Sequence, residues 1–200
     1  MPAASTDDPT DGARARLLTA AMAYAAEHGV SGLTLRGLAH ALGTSHRMLI
    51  YHFGSKNGLL TAIVQEVEAE QRALLTGLVT DDAEPAEVAR RFWRHLAAPA
   101  MWPRERLFFE LYAQALRGAP GTEPLLDGLV EAWLTPMTAW LERLGLPPNT
   151  AHARARLGVA IARGLLLDVL ATGDRTSVNA AMDEFIAIFT AALPVAETAR

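Results

Sequence analysis

The sequence predicts an all-α protein, and three observations support that prediction. Alanine and leucine together make up one third of the 200 residues, and both are good helix formers. Apolar residues recur every three or four positions, which is the spacing of one face of a helix. Runs that alternate apolar and polar residues between hairpin turns, as in a half-buried strand, are absent. We therefore expect about nine helices and no sheet.

Four helices are predicted in the first 80 residues. The first spans residues 13–28. A short second helix follows Thr34, a residue suited to cap it, and a short third helix follows Ser45 and ends at Phe53. A long fourth helix is expected over residues 56–80, because apolar side chains recur along one of its faces.

Five more helices are predicted in the rest of the chain, where proline and glycine mark their ends. We expect them at about residues 85–98, 103–118, 122–145, 150–172 and 176–193. The third of these contains Pro136 in its interior, so a kink is expected near residues 132–136.

The composition excludes several classes of protein. The chain has no cysteine, which excludes disulfide scaffolds, thiol catalysis and zinc sites with cysteine ligands. No apolar run reaches the roughly 18 residues of a membrane span. The first residues, MPAASTDDPTDGARAR, lack the basic and apolar regions of a secretory signal. We expect a soluble, cytoplasmic protein in which residues 1–11 form a disordered tail.

Charge is distributed unevenly along the chain. Residues 12–60 carry five basic side chains and one acidic side chain, whereas residues 61–200 carry 13 basic and 18 acidic ones. A small basic module on a larger acidic chain confines contact with nucleic acid to one end of the protein.

The two short helices, placed behind a supporting helix, have the pattern of a helix-turn-helix, whose second short helix enters the major groove of DNA. Leu49 is expected to face inward, and its neighbours outward. The side chain of Arg47 is suited to guanine, and those of Met48 and Tyr51 to thymine methyl groups. Four further side chains are suited to phosphate oxygens: Thr34, Ser45, His52 and Lys56.

The run LTLRGLAHALGTSHRMLIYHFGSKNGLL, residues 33–60, resembles the DNA-binding domain of the TetR family of bacterial transcriptional regulators. The resemblance covers residues 13–65 and is most specific at positions that match in register: Gly43, Ser45, Leu49, Phe53, Ser55, Lys56 and Leu60. It implies base contacts from Arg36, His46 and Arg47, and phosphate contacts from Thr34, Tyr51, His52 and Lys56. It also implies a homodimer on a palindromic operator whose half-sites lie about one DNA turn apart.

Three departures from the family pattern leave the exact contacts open. Arg47 stands where the family frequently has glycine, and Ile50 where it frequently has tyrosine. Asn57-Gly58 replaces the usual acidic residue and its neighbour. The resemblance implies a DNA-binding domain over residues 12–54 and a helical ligand-binding and dimerisation domain over residues 55–200, beginning with a linking helix at residues 55–80.

The helix predicted over residues 150–172 is apolar almost all round, so it must be buried on several sides. A dimer interface formed with the last helix, residues 176–193, is a natural partner for it. Gly158, Ala162 and Gly164 would permit a close approach of the second chain.

Aromatic and methionine residues are concentrated between residues 92 and 140. They form either the core of the middle helices or the wall of a cavity for a small apolar or amphipathic ligand. The candidate lining residues are Phe92, Trp93, Met101, Trp102, Phe109, Tyr112, Trp133, Met137, Trp140 and Arg163. Arg163 has an alternative role as a partner of groups on the second chain of a dimer.

These features predict a DNA-binding transcriptional regulator, most simply a repressor that a ligand releases by favouring a state with lower operator affinity. Two alternatives remain open: a constitutive regulator without a ligand, and a helical interaction protein that has lost DNA binding. No nucleophile–base pair, carboxylate pair with histidine or Gly-rich phosphate loop is found, so we expect no enzymatic activity, no cofactor and no metal.

Overall fold

The computed structural model describes residues 9–30, 32–80 and 83–194. Helices, turns and loops account for all of these residues, and none of them lies in a strand. Residues 1–8 of the expected tail lie outside the described part of the chain. Within that part, no helix is both long and apolar enough to cross a membrane.

Ten α-helices follow one another along the described residues, and one short 3-10 helix (Pro99–Met101) precedes the sixth. Their bounds are α1 (Pro9–His28), α2 (Leu35–Ala41), α3 (His46–Phe53), α4 (Lys56–Leu78), α5 (Pro85–Leu96), α6 (Trp102–Leu116), α7 (Glu123–Leu126), α8 (Glu131–Arg143), α9 (Pro148–Thr172) and α10 (Arg175–Ala191).

Two predicted boundaries differ clearly from the observed ones. Helix α1 already begins at Pro9, so the last three residues of the expected tail are helical. The helix expected over residues 122–145 is divided by a turn at residues 127–130 into α7 and α8. Pro136 lies inside α8, which continues past it. Buried side chains of α8, such as Trp133 and Leu134, hold it against the core and offset the one backbone hydrogen bond that proline removes.

The first of two compact units comprises Met1–Val67 and Glu110–Leu126. Each of its first four helices contributes apolar side chains to its core, and the leucines at the centre, Leu38, Leu49 and Leu59, are at most 1% exposed. The domain boundary expected after residue 54 lies within this unit, because the first turns of α4 are buried in the same core.

The second compact unit comprises Glu68–Phe109 and Asp127–Arg200. One apolar cluster joins α5, α9 and α10, and another joins α8 to the first half of α9. A third joins the end of α4 to α5 and α8. Helix α9 therefore packs against several helices of its own unit, as its apolar sequence requires.

Two of the three small residues expected to admit a second chain instead face the interior of this unit. A Cβ atom on Gly158 would lie 3.2 Å from the terminal methyl carbon of Met137, and Ala162 packs against the α5–α9–α10 cluster. The expectation was wrong for both, because their side of α9 is already covered by α8 and α5. Gly164 is exposed, and a Cβ atom added there would have nothing within 4 Å.

The junction between α3 and α4 is fixed by short-range contacts. The hydroxyl of Ser55 accepts a hydrogen bond of 3.0 Å from the Gly58 amide. A Cβ atom on Gly58 would collide with the carbonyl oxygen of Phe53. The side-chain amide of Asn57 donates a hydrogen bond of 3.1 Å to the carbonyl oxygen of Pro120, which connects this junction to the loop before α7. The geometry therefore requires glycine at position 58 and makes use of an amide at position 57.

We expect Gly58→Ala to destabilise the protein by about 3 kcal/mol, because the added methyl group meets backbone that has no room to move aside. Gly77→Ala in the same helix is the matched control: nothing lies within 4 Å of its added Cβ, so helix propensity stabilises that variant by about 0.5–1 kcal/mol. Thermal denaturation of both variants tests this. An unchanged melting temperature for Gly58→Ala would contradict the close contact with Phe53.

Candidate functional site

Helices α2 and α3 each begin at a side-chain cap. Thr34 Oγ1 accepts a hydrogen bond of 3.1 Å from the Gly37 amide, and Ser45 Oγ accepts one of 3.2 Å from the Met48 amide. Both caps satisfy amides that have no partner within the helix. The caps and the four-residue connection between the helices produce the helix-turn-helix that the sequence predicted.

Only one narrow face of α3 is buried. Leu49 and Phe53, four residues apart, anchor the helix in the core of the first unit. Arg47 and Tyr51 are also four residues apart, so they share an outward face, and the Tyr51 side chain is 68% exposed. The remaining exposed side chains of this helix are His46, Met48 and Ile50. This places a cation, a phenol and two apolar groups on a solvent-facing helix, as groove reading requires.

The side chains expected to contact phosphate lie at the ends of the short helices. Thr34, Arg36 and Ser45 are exposed, and Lys56 is half-buried at the first position of α4. The hydroxyls of Thr34 and Ser45 already accept backbone hydrogen bonds, but each can still donate its own proton to a phosphate oxygen. From Thr34 to Lys56 the sequence contains three basic residues and no acidic residue, so this segment carries a net positive charge.

His52 is less accessible than the other candidates. Its ring packs edge-on against Tyr51, with 5.0 Å between the centroids, and its Nε2 atom is buried without a hydrogen-bond partner in the described part of the chain. A contact between His52 and phosphate therefore requires Nδ1 or a rotation of the ring.

The second unit contains a cavity of about 130 Å³. Seven of the ten residues that the sequence analysis named line its wall: Phe92, Trp93, Phe109, Trp133, Met137, Trp140 and Arg163. The rest of the wall is mainly aliphatic. The cavity thus has the apolar, aromatic character expected of a ligand site.

The other three named residues, Met101, Trp102 and Tyr112, are not among those that line the cavity. Met101 is buried in the 3-10 helix before α6. The indole of Trp102 donates to the carbonyl of Ala97 at 3.2 Å, which turns it toward the preceding turn. Tyr112 belongs to the first unit. Their inclusion was wrong, because residues clustered in sequence lie on different faces of their helices.

Charged groups that the sequence analysis did not name also line the cavity. Glu68 Oε2 accepts a hydrogen bond of 2.6 Å from Trp133 Nε1 and lies 3.9 Å from both Arg72 Nη1 and Arg163 Nη2. Burial raises the pKa of Glu68, against the opposing effects of the Trp133 hydrogen bond and the two guanidinium groups.

Glu105 lies on the same wall and is 4% exposed. Its Oε1 accepts a hydrogen bond of 2.7 Å from Gln71 Nε2. Burial raises the pKa of Glu105, the Gln71 hydrogen bond lowers it, the charge of Glu68 raises it, and Arg163 and Arg104 lower it; together these effects place the pKa at about 7. Glu105 is therefore present in both protonation states near neutral pH.

No group of three or more histidine or carboxylate side chains suited to a metal ion occurs among the described residues. The two candidate sites are thus a polar helix surface in the first unit and a largely apolar cavity with buried carboxyl groups in the second.

The family model for bacterial regulatory proteins of the tetR family matches residues 17–63, which contain α2, α3 and the start of α4. The chain is therefore similar to the TetR family over these 47 of its 200 residues. Two curated relatives carry the name HTH-type transcriptional repressor AcnR. The one from Corynebacterium glutamicum is 37% identical over 81 residues, which cover 40% of this chain and 43% of that protein. The one from Corynebacterium efficiens is 38% identical over 66 residues, 33% of this chain and 35% of that protein. The chain therefore matches less than half the length of either.

Two solved structures of transcriptional regulators extend the likeness in fold to almost the whole chain. A TetR-family regulator from Pectobacterium atrosepticum aligns with a TM-score of 0.73 at 20% identity, covering 95% of this chain and 98% of that one. A transcriptional regulator from Rhodococcus sp. Rha1 aligns with a TM-score of 0.71 at 22% identity, covering 91% and 98%. At these identities the structures establish the fold, an all-helical chain with an N-terminal helix-turn-helix.

The departures from the TetR sequence pattern have structural counterparts. Asn57 and Gly58 fit the α3–α4 junction described above. Arg47 and Ile50 project from the exposed side of α3, where a change of side chain alters the groups presented to a partner without disturbing the core.

A signal for the missed cavity residues is present in the sequence. Val64, Glu68, Gln71 and Leu75 recur at spacings of three and four residues, so the two polar residues lie on the same buried stripe of α4 as the apolar ones. A carboxylate in the middle of an apolar stripe is costly to bury and indicates a specific partner or a site. In this chain the partners of Glu68 are Trp133 and two arginines.

Proposed function

We propose that the protein is a transcriptional regulator that binds operator DNA through α3, and that it acts as a repressor. The observation that carries the proposal is the exposed face of α3, where Arg47 and Tyr51 stand on a helix whose Ser45 cap and two buried anchors fix its position. The family match over the same residues and the absence of acidic side chains between Thr34 and Lys56 support it. In this proposal Arg36, His46 and Met48 also reach base edges.

We further propose that the regulator is a homodimer formed through α9 and α10. The exposed side of α9 is an almost continuous apolar stripe: Leu157, Ala160, Gly164, Leu167 and Ala171. On α10, Ile188 is 63% exposed and lies among exposed alanines. Exposed leucine and isoleucine on two helices of one cluster favour a partner surface. Two copies of α3 then read the two half-sites of a palindrome.

Leu167→Glu is expected to convert the dimer to a monomer, because it places a charge where the second chain would pack. Leu116→Glu is the matched control. Leu116 is 65% exposed and Leu167 is 52% exposed, but Leu116 lies on α6 in the first unit. Sedimentation equilibrium measures the mass of each variant. A Leu167→Glu protein that remains dimeric would contradict this interface.

We propose that a ligand in the cavity of the second unit lowers operator affinity. The aromatic wall and the few polar groups within it support a small-molecule site. By linkage, a ligand changes operator affinity only through its different affinities for the two states of the protein, and the operator changes ligand affinity by the same factor. The helices that contact DNA then lie within residues 12–54, and the ligand and the dimer interface within residues 55–200.

Selection of bound sequences from random DNA duplexes tests the proposed function. We expect a palindromic consensus whose half-sites are separated by about one helical turn. A non-palindromic consensus would contradict the dimeric regulator, and no enrichment at low salt would favour an interaction protein that has lost DNA binding. An operator complex that no ligand releases would indicate a constitutive regulator.

A further inference from the structure

The charged and amide side chains of the cavity come from three helices. Glu68 and Gln71 lie on α4, Glu105 on α6 and Arg163 on α9, and all four line the wall. The hydroxyl of Thr190, which also lines it, donates to the carbonyl of Ile186 in its own helix at 2.8 Å. The remaining lining residues are aromatic, aliphatic or methionine, so any charge on a ligand meets this one group of side chains.

The balance of charge in this group is negative. Two carboxyl groups and one guanidinium line the cavity, which gives a net charge of −1 when both carboxyl groups are ionised. The guanidinium of Arg163 lies beside Glu68, at 3.9 Å, and 5.3 Å from the ring centroid of Phe108. Glu105 is hydrogen-bonded to the neutral amide of Gln71 instead.

From this arrangement we infer that the cavity binds a small organic cation, a protonated amine attached to a body of about one ring, with the ammonium group beside Glu105. The inference rests on the proposed ligand-dependent regulator and specifies the chemical class of its ligand. Aromatic residues, among them Phe92 and Trp140, line the same cavity, and aromatic rings attract cations at their faces as well as apolar groups.

The size of the cavity restricts the body of the ligand. Its volume of about 130 Å³ is close to that of an engineered protein cavity, about 150 Å³, that holds benzene, and below the roughly 300–1,000 Å³ of sites for drug-sized ligands. A single ring with a short amine arm matches this space.

The charge of the cavity distinguishes the cation from other ligands. An anion would lie near two carboxyl groups, of which Glu68 already has the guanidinium groups of Arg72 and Arg163 beside it. A neutral ligand would leave Glu105 as poorly solvated as before. Burial deprives ionised Glu105 of solvation by water, and a cation stabilises the ionised form by its opposite charge. Ionised Glu105 stabilises the bound cation in the same way.

Binding is therefore expected to depend on pH. The groups that face Glu105 are Gln71 and Glu68 on α4, Arg163 on α9 and Arg104 on its own helix, and together with burial they hold its pKa at about 7. Because the cation prefers ionised Glu105, amine affinity should increase about fourfold between pH 6.5 and pH 8.5, with release of a proton. The neutral analogue should show no such increase.

Isothermal titration calorimetry of the full chain without DNA tests the inference with three probes of one shape: benzylamine, benzyl alcohol and benzoate. We expect benzylamine to bind at least about tenfold more tightly than either of the others at pH 8. A bound cation that lowers the pKa of Glu105 by about one unit gains a factor of about ten in affinity from the ionised carboxylate. Equal or tighter binding of benzyl alcohol or benzoate would overturn the inference, and so would binding of none of the three at millimolar concentration.

Glu105→Gln provides a second measurement. It should reduce benzylamine affinity to that of benzyl alcohol and abolish the pH dependence, whereas the control Glu142→Gln, an exposed carboxylate on α8, should change neither. Unchanged benzylamine affinity in folded Glu105→Gln would also overturn the inference. Operator binding by the ligand-free protein is measured separately. If the cavity does not prefer a cation, the proposed DNA-binding function is unaffected. If no operator is selected, that function is contradicted whatever the cavity binds.

Discussion

Replacing both Arg47 and Tyr51 by alanine is expected to reduce operator affinity about 100-fold or more and to leave the fold and the dimer intact. One well-placed contact with a base is worth about 1–3 kcal/mol, and each 1.4 kcal/mol is a factor of ten in affinity. Both side chains are exposed and contribute nothing to the core that Leu49 and Phe53 anchor. Fluorescence anisotropy with the selected operator duplex measures the loss, and circular dichroism checks the fold.

Arg91→Ala is the matched control for charge, because Arg91 is an exposed arginine on α5 in the second unit. Its operator affinity should equal that of the wild type. Affinities measured over a series of salt concentrations add an independent readout. Removal of a phosphate contact makes log affinity depend less steeply on log salt concentration, whereas removal of a base contact leaves that slope nearly unchanged. If the double variant binds as tightly as Arg91→Ala, α3 is not the reading helix.

The helix-turn-helix could be predicted from the sequence because its determinants are local. A capping hydroxyl at Ser45, two apolar anchors four residues apart and a glycine after Phe53 specify α3 and its buried face within ten residues. The outward direction of Arg47 and Tyr51 follows from that face alone. Nothing distant in the chain is needed, so the prediction of the element and of its exposed side chains agrees with the structure.

The cavity could be predicted only in part, because its wall depends on which helix faces meet. The aromatic residues were found by their density in the sequence, which does not distinguish Trp93 on the wall from Trp102 beside it. The turn at residues 127–130 was not predicted, because the only interruption expected in this helix was a kink near residues 132–136, where the packing of Trp133 and Leu134 keeps α8 helical. Glu68 and Glu105 were missed because a charged residue in a helix is ordinarily solvated.

The burial of Glu105 has a consequence for stability that does not depend on any ligand. Its pKa is about 7 in the folded protein, against the ordinary 4.5 of a glutamate in an unfolded chain. Between these values the folded state binds more protons than the unfolded state, so the free energy of unfolding decreases as the pH rises from about 4.5 to 7. The shift corresponds to a loss of about 3 kcal/mol, complete above pH 7.

Glu105→Gln should therefore be more stable than the wild type by up to about 3 kcal/mol at pH 8, and the difference should shrink toward zero near pH 4.5. The glutamine is neutral throughout, and its carbonyl can still accept the hydrogen bond from Gln71. Urea denaturation at several pH values, followed by tryptophan fluorescence, measures the difference, because all four tryptophans lie in the second unit with Glu105. Glu142→Gln is expected to follow the wild type at every pH, since its carboxylate is exposed. If the free energies of unfolding of Glu105→Gln and the wild type run parallel with pH, Glu105 is ionised in the folded protein as readily as in the unfolded one, because water or a cation reaches it. If they converge at low pH, the cavity wall holds a carboxyl group that becomes charged only at the expense of stability. A bound cation would then stabilise the folded protein most above pH 7, where the wild type is least stable.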